Sequence, residues 1–327
     1  MDKKYCLRPL ALFSGIVMLM GSCQRDGISA GPVEGEEHVV TVTAVFPSAR
    51  LDVKSQTVPG DGTLANRCLM QVYVADDPES LVPYDEPQET GVDALSASFE
   101  LRLISGHDYR LVFWADCAEK GQDGGYSDIY YNTEAFPEKV SIIPETFAGN
   151  DDARDAFFGS ASVTAEALAA GTAGVSAVLC RPFGQLNIYS YDYAMIPVET
   201  MRPAAVEIAF TNVYTSIDLT TGKLSDRKAL TYSAAVAPHN AASGHLTFDY
   251  LLAKDVEDAI ADFTMNFYTT ADGSTPADHY TFSSIPVRRN YITNVRGNWL
   301  TDRTSVTVDV IPAFSTGDDN PIDIEID

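Results

Sequence analysis

Cysteine is scarce in this sequence, and the chemistry that depends on closely spaced cysteines has no support. The chain has 327 residues and 5 cysteines, and no two of them form a Cys-x-x-Cys pair. Exported proteins that depend on disulfides are usually small and cysteine-dense, and this chain is neither. We therefore expect no zinc site or thioredoxin-like chemistry. Cys68, Cys117 and Cys180 are expected to be buried thiols, with one disulfide among the three as the alternative.

Basic residues are few, and their shortage excludes a class of partners. The chain has 22 Lys and Arg against 46 Asp and Glu, a formal net charge of -24 at pH 7. A field of that sign repels phosphate backbones and anionic lipid surfaces. We therefore expect no nucleic-acid partner, and membrane contact only through an attached lipid.

Long apolar runs and catalytic signatures are also missing. No apolar run reaches the roughly 20 residues that a membrane-spanning helix needs. No His-Glu-x-x-His zinc signature occurs, and carboxylate pairs in a chain this acidic carry no information about an acid–base site. The sequence predicts no catalytic residue, no metal site and no cofactor, and we expect the protein not to be an enzyme.

The N-terminus has the plan of a secretory signal. A basic start with Lys3, Lys4 and Arg8 precedes a short apolar run that ends in Leu19-Met20-Gly21-Ser22-Cys23. This ending resembles a bacterial lipobox, in which the cysteine carries a lipid; an ordinary signal followed by a chance cysteine is the alternative. We predict a signal peptide over residues 1–22, lipidation of Cys23 and a polar tether over residues 23–37.

The remaining chain has the pattern of an all-β protein. Apolar residues alternate with polar ones over Val39 to Phe46, and the same period of two returns in both halves of the chain. Asp108 to Ala115 is apolar on both faces, which predicts a central strand covered on each side. Only Thr164 to Ala170, ended by Gly171, and Val256 to Ala261 are predicted to be helical.

Strands at regular intervals with few helices favour two antiparallel β-sandwich domains in tandem. We place the boundary at the Ala- and Gly-rich stretch before residue 174. This gives an N-terminal domain over residues 38–173 and a C-terminal domain over residues 174–327.

A segment near the C-terminus resembles the fimbrillin-like lipoproteins, which are relatives of type V pilins. That family has a closing R-N-x-x-T-N-x-x-G-N-x-L-T segment, and further similar segments occur in the expected order at 113–116, 152–157 and 181–187. The matching residues of the closing segment are Arg289, Asn290, Thr293, Asn294, Gly297, Asn298, Leu300 and Thr301.

The resemblance implies transthyretin-like β-sandwich domains and a lipid-anchored protein of the outer membrane, exposed at the cell surface. In polymerising members a trypsin-like protease removes the first strand, and another subunit's strand fills the groove. The corresponding cut here follows Arg50, since Lys54 suits only a protease of broader specificity. The donor is expected at the C-terminus, where Ile322, Ile324 and Ile326 alternate with acidic residues.

The functional prediction is thus a structural or adhesive surface protein whose partners are other fimbrillin-like subunits. The alternative is a surface lipoprotein that never polymerises and binds glycans or a host surface. Tyr126, Tyr130 and Tyr131 are the candidates for sugar stacking in that case, although strand tyrosines more often pack against neighbouring strands.

Overall fold

The computed structural model describes residues 35–47, 60–171, 174–196, 202–236, 244–256, 258–269, 276–301, 306–312 and 322–323. The predicted signal peptide, Cys23, nearly all of the tether and Arg50 lie outside these ranges, as do Ile324 and Ile326.

The described residues are predominantly β-strand, so the all-β prediction is confirmed. The strands of the first half are β1 (Glu37–Val45), β2 (Arg67–Val74), β3 (Val82–Pro83), β4 (Gln88–Gly91), β5 (Ser96–Ile104), β6 (Tyr109–Asp116), β7 (Glu119–Lys120), β8 (Tyr126–Ser127), β9 (Tyr131–Ala135), β10 (Lys139–Ile142), β11 (Phe157–Val163) and β12 (Val175–Val178). Those of the second half are β13 (Phe183–Ser190), β14 (Ala205–Asp218), β15 (Lys223–Ala235), β16 (His245–Leu252), β17 (Asp258–Tyr268), β18 (Pro276–Val287), β19 (Tyr291–Gly297), β20 (Val306–Pro312) and β21 (Ile322–Asp323).

Of the two predicted helices, one is present. Helix α1 (Ala165–Ala169) begins after Thr164, whose hydroxyl accepts a hydrogen bond from the Ala167 amide at 3.2 Å. It ends before Gly171, which adopts a φ of 65° that glycine tolerates without strain. The helix predicted over Val256 to Ala261 is wrong, because β17 begins at Asp258 and pairs with both β14 and β18. Three short 3-10 helices complete the described helical residues (Pro144–Thr146, Asp152–Arg154 and Tyr193–Met195).

The first half forms two sheets with an apolar core between them. The first sheet has the order β12-β1-β5, and the second has the order β11-β6-β2-β3 with β4 also beside β2. Alternate residues of β6, such as Leu111 and Phe113, face this core, while Val112 and Trp114 belong to the core of the second half. The prediction that β6 is covered on both faces is confirmed.

The second half is built on one large sheet in the order β18-β17-β14-β16-β13-β19-β20-β21, with β15 on β14. The domain boundary between residues 173 and 174 stays a prediction, and two strands pair across it. Strand β12 follows the boundary in sequence but pairs with β1 in the first sheet. Strand β10 precedes the boundary but pairs with β14 and so joins the large sheet. No helix in the described part of the chain is long and apolar enough to cross a membrane.

Candidate functional site

Strand β1 lies in the middle of the first sheet, with a strand on each side. It pairs antiparallel with β5 along its whole length, from Glu37 opposite Ile104 to Val45 opposite Ser96. It pairs in parallel with β12 from Val42 opposite Val175 onwards. The side chains of Val40, Val42, Ala44 and Phe46 are at most 3% exposed. One backbone edge of β1 is therefore paired along its whole length, the other is paired from Val42 to Val45, and the face that carries Val40, Val42 and Ala44 is buried.

Removal of β1 would leave a groove of defined shape. Its walls are β5 and β12, which would stand two strand spacings apart, about 9.6 Å. Burying a Val-sized side chain contributes about 1.5–3 kcal/mol, so the exposed floor under Val40 and Val42 would be costly to leave in water. An alternating strand of similar length would restore the backbone hydrogen bonds and cover the floor.

The end of β1 is fixed by backbone and ring contacts. The Phe46 amide donates to the Leu95 carbonyl at 3.0 Å, and the Leu179 amide donates to the Val45 carbonyl at 2.9 Å. The Phe46 ring meets the Phe157 ring edge to face, with 4.9 Å between centroids. The chain after Pro47 leads to Arg50, which lies outside the described residues.

The chain is described again from Gly60, where buried and half-buried polar groups bind its backbone. The Gly60 amide donates to Asp152 Oδ1 at 2.6 Å, and Arg181 donates to the Gly60 carbonyl. Arg181 also forms a two-point ion pair with Asp155, with both nitrogen–oxygen distances at 2.7 Å. We call Asp152, Asp155 and Arg181 the Gly60 anchor.

The Gly60 anchor lies beside the end of β1. The Arg181 guanidinium sits over the Phe157 ring, 4.6 Å from its centroid, and this is the ring that Phe46 contacts. Burial raises the pKa of Asp155, and the charge and hydrogen bonds of Arg181 oppose that shift. The stretch that contains Arg50 thus begins and ends at contacts around Phe157.

No site role was predicted from the sequence for the residues of the Gly60 anchor. Charged residues are usually exposed, whereas Asp155 is 2% exposed and Arg181 3% exposed. The sequence indicated Asp155 and Arg181 only indirectly, because they lie in the segments 152–157 and 181–187 that resemble the fimbrillin-like family. The structure brings those two segments into contact through the ion pair.

At the other end of the chain, β21 is the outermost strand of the large sheet. Ile322 pairs with Val308 and Asp323 pairs with Thr307, both antiparallel to β20. Of the three isoleucines predicted to form a donor strand, Ile322 is the described one, and it lies at a sheet edge.

The three tyrosines predicted to stack on sugars do not form one exposed surface. Tyr131 is 1% exposed, its ring meets Trp114 at 5.2 Å, and its hydroxyl donates to the Arg154 carbonyl. Tyr126 and Tyr130 are half-buried, and burial raises the pKa of Tyr130 to about 12. Tyr131 is therefore a core residue and cannot receive a sugar.

Cys68, Cys117 and Cys180 are free thiols in the structure, and Cys68 is buried. Burial raises the pKa of the Cys68 thiol, with the nearby Asp116 charge adding to the shift. Among the described residues, no group of three His, Cys, Asp or Glu side chains is placed to hold a metal ion.

The sequence profile of a Family of unknown function (DUF6562) matches residues 32–326 of the chain. No curated protein matches the sequence.

Several solved structures resemble this chain at low identity. A fimbrial assembly protein from Parabacteroides distasonis is 11% identical, with a TM-score of 0.45, 84% of this chain covered and 95% of that one. The tip fimbrial protein Mfa3 from Porphyromonas gingivalis, truncated at its C-terminus, is 11% identical, with a TM-score of 0.48 and coverage of 85% and 100%. A cell adhesion protein from Bacteroides eggerthii is 13% identical, with a TM-score of 0.46 and coverage of 87% and 98%.

Proposed function

The chain belongs to the Family of unknown function (DUF6562), and from its own sequence and strand arrangement we propose that it is a lipid-anchored structural or adhesive subunit of the cell surface. In this proposal it assembles with similar subunits by strand exchange after β1 is removed. The observation that carries the proposal is the position of β1 between β5, with which it pairs along its whole length, and β12, with which it pairs from Val42 to Val45.

The lipid anchor rests on the N-terminal sequence. A basic start, a short apolar run and the Gly21-Ser22-Cys23 ending together favour lipidation of Cys23 over a spanning helix. With a net charge of -24, the chain has little attraction for an anionic membrane surface. The lipid is thus the proposed means by which the protein is held at the outer membrane.

The Gly60 anchor supports removal of β1 by a cut after Arg50. After such a cut, the new N-terminal segment would still be fastened at Gly60 by Asp152 and Arg181. The cut would therefore free β1 without loosening β2, which begins at Arg67, seven residues after Gly60. The second sheet would thus stay intact between the loss of β1 and the binding of another subunit's strand.

The C-terminal strand is the proposed donor. Its alternation of Ile322, Ile324 and Ile326 with acidic residues matches a groove that has one apolar face and one exposed face. In the described residues β21 pairs with β20 over two residues, whereas β1 pairs with β5 over nine. The described pairing that β21 would give up is thus shorter than the pairing that β5 offers along the groove.

Proteolytic maturation is tested by the N-terminus of the protein recovered from its native cell surface. We expect intact-chain mass spectrometry to find a terminus at Leu51. In an Arg50→Ala variant we expect the acylated Cys23 terminus and no SDS-resistant multimers, because β1 remains paired with β5 and β12 and blocks the groove. Lys54→Ala is the matched control and should be processed like the wild type. A wild-type terminus at Cys23 alone would contradict the proposal and favour the surface lipoprotein that never polymerises.

The donor role is tested separately by Ile324→Asp. A charge in place of the central isoleucine cannot be buried in an apolar groove without a large cost. We expect the variant to be processed normally but to form no SDS-resistant multimers. Glu325→Ala, on the opposite face of the same segment, should multimerise like the wild type. Normal multimers from Ile324→Asp would show that another segment is the donor.

A further inference from the structure

A cleft opens at one end of the second sheet, on the face opposite the one that packs against β1. Its volume is about 280 Å³, and it is lined by the start of β6, the end of β11 and the loop that follows β2. Ligand sites in proteins generally measure about 300–1,000 Å³. The size therefore suits a ligand of one ring better than an extended chain.

Strand register places four polar side chains on the cleft floor. Arg110 of β6 stands opposite Ser162 of β11, and Tyr109 stands opposite Val163. Since Tyr109 and Val163 point into the core of the first half, their neighbours Asp108, Arg110, Ser162 and Thr164 point to the opposite face of the sheet. Alternate residues on a strand are about 6.6 Å apart, which is comparable with the width of a single sugar ring.

These groups have hydrogen-bonding capacity to spare. Within the described chain, Arg110 donates once, from NH2 to the Thr220 carbonyl at 2.9 Å. The Asp108 side chain accepts once, through Oδ1 from the Ala165 amide at 2.7 Å. The Ser162 hydroxyl is exposed and makes no hydrogen bond to the described residues. A guanidinium, a carboxylate oxygen and a hydroxyl are thus all available to one ligand.

The rest of the lining decides the class of ligand. Pro78 and Leu81 give the cleft an apolar wall, while the same loop carries exposed Asp76, Asp77 and Glu79. The acidic rim repels anions, and Arg110 on the floor repels cations. A neutral ligand avoids both repulsions. Its hydroxyls can hydrogen-bond to the polar floor, and one apolar face can pack on Pro78 and Leu81.

We infer that this cleft binds a single neutral pyranose unit of a glycan. The sugar hydroxyls donate to Asp108 and accept from Arg110, Ser162 adds a further hydrogen bond, and the C–H face of the ring packs on Leu81. This site is separate from Tyr126, Tyr130 and Tyr131, and it does not depend on whether β1 is removed.

The test is saturation-transfer NMR on the full chain. The probes are glucose, galactose, mannose, fucose and N-acetylglucosamine, with N-acetylneuraminic acid and alanine as acidic and zwitterionic comparators. We expect at least one neutral sugar to bind. Ser162→Trp should raise its Kd by about tenfold or more, because the indole fills the cleft while Trp is well accepted in strands.

Two further variants make the result decisive. Ser176→Trp is the matched control, since Ser176 is an exposed strand serine on the first sheet, and it should bind like the wild type. Arg110→Gln keeps an amide donor for the Thr220 carbonyl but loses the guanidinium, and it should also weaken binding about tenfold. Absence of any neutral-sugar signal, unchanged binding in both Ser162→Trp and Arg110→Gln, or preference for either comparator would overturn the inference.

Discussion

Replacing Arg67 by Met is expected to lower the free energy of unfolding by about 3–5 kcal/mol. Arg67 has 3% of its side chain exposed and forms a two-point ion pair with Asp116, at 2.9 and 2.8 Å. Asp116 also accepts a hydrogen bond from the Trp114 indole at 3.0 Å. Methionine fills similar space, but it leaves the Asp116 carboxylate buried without a counter-charge.

The same substitution should also loosen the segment before β9. Arg67 reaches Asp128 at 2.8 Å, and Asp128 in turn accepts hydrogen bonds from the amide and hydroxyl of Thr133. We therefore expect faster amide exchange around residues 126–133 in Arg67→Met than in the wild type.

Urea unfolding measures the main effect, and an exposed arginine provides the control. Arg102 pairs with Glu37 at 2.7 Å, but the two side chains are 67% and 51% exposed. Arg102→Met should cost no more than about 1 kcal/mol. Adding Asp116→Asn to Arg67→Met should recover part of the loss, because the buried charge is gone. Equal losses from Arg67→Met and Arg102→Met would contradict this account.

The sequence predicts strands well where alternation is local. Val39 to Phe46 and Asp108 to Ala115 correspond to β1 and β6, and α1 was predicted from its small residues and Gly171. The error at Val256 to Ala261 has a simple cause. Glu257, Ala259 and Ala261 favour helices by propensity, but Ala261 also begins the alternation with Phe263 and Met265 that continues along β17. Tertiary pairing with β14 and β18 decided the outcome.

What the sequence does not encode locally is pairing between distant segments. The parallel pairing of β1 with β12 joins residues more than 130 positions apart, and no turn signal marks it. Buried charges are missed for a similar reason. From sequence alone, Arg67, Arg154 and Arg181 would be expected at the surface. The fold buries them by placing Asp116 next to Arg67, backbone carbonyls next to Arg154 and Asp155 next to Arg181.

The contacts around Gly60 likewise join segments that are distant in sequence, and they give the segments that resemble the fimbrillin-like family a physical role. The segments 152–157 and 181–187 have no catalytic pattern, yet the fold joins them around Gly60. Tyr250 adds a hydrogen bond to Asp152 at 2.6 Å, so the second half of the chain takes part as well. A motif that lacks catalytic residues can thus have a positional role, here fixing the point where the chain resumes after the proposed cut.

Asp249→Asn is expected to stabilise the protein at neutral and alkaline pH, by about 2 kcal/mol at about pH 8. Asp249 lies in β16 and is 1% exposed. Tyr232 donates to its Oδ2 at 2.8 Å, while its Oδ1 has no hydrogen-bond partner in the described structure. Burial raises the pKa of Asp249 to about 7, against the opposing effects of Tyr232 and Arg154.

The sign of the effect follows from the two pKa values of Asp249. In the unfolded chain the carboxyl ionises near its ordinary 3.8, whereas in the folded protein it does so near 7. As pH rises between these values the unfolded state releases its proton first, so up to about 4 kcal/mol of stability is lost. Asparagine keeps the acceptor for Tyr232 and has no charge to bury, although its amide nitrogen takes the unpartnered position and reduces the gain.

Chemical unfolding of wild type and variant at several pH values separates this mechanism from a general packing effect. The advantage of Asp249→Asn should vanish by about pH 3, where the wild-type carboxyl is protonated in both states. Asp192→Asn is the matched control. Burial opposes ionisation of Asp192, but hydrogen bonds from Ser190, Leu300 and Thr301 outweigh it and lower its pKa. Asp192→Asn should therefore be destabilising at about pH 8, with a deficit that shrinks as the pH falls. A gain from Asp249→Asn that does not change with pH would exclude ionisation as its cause.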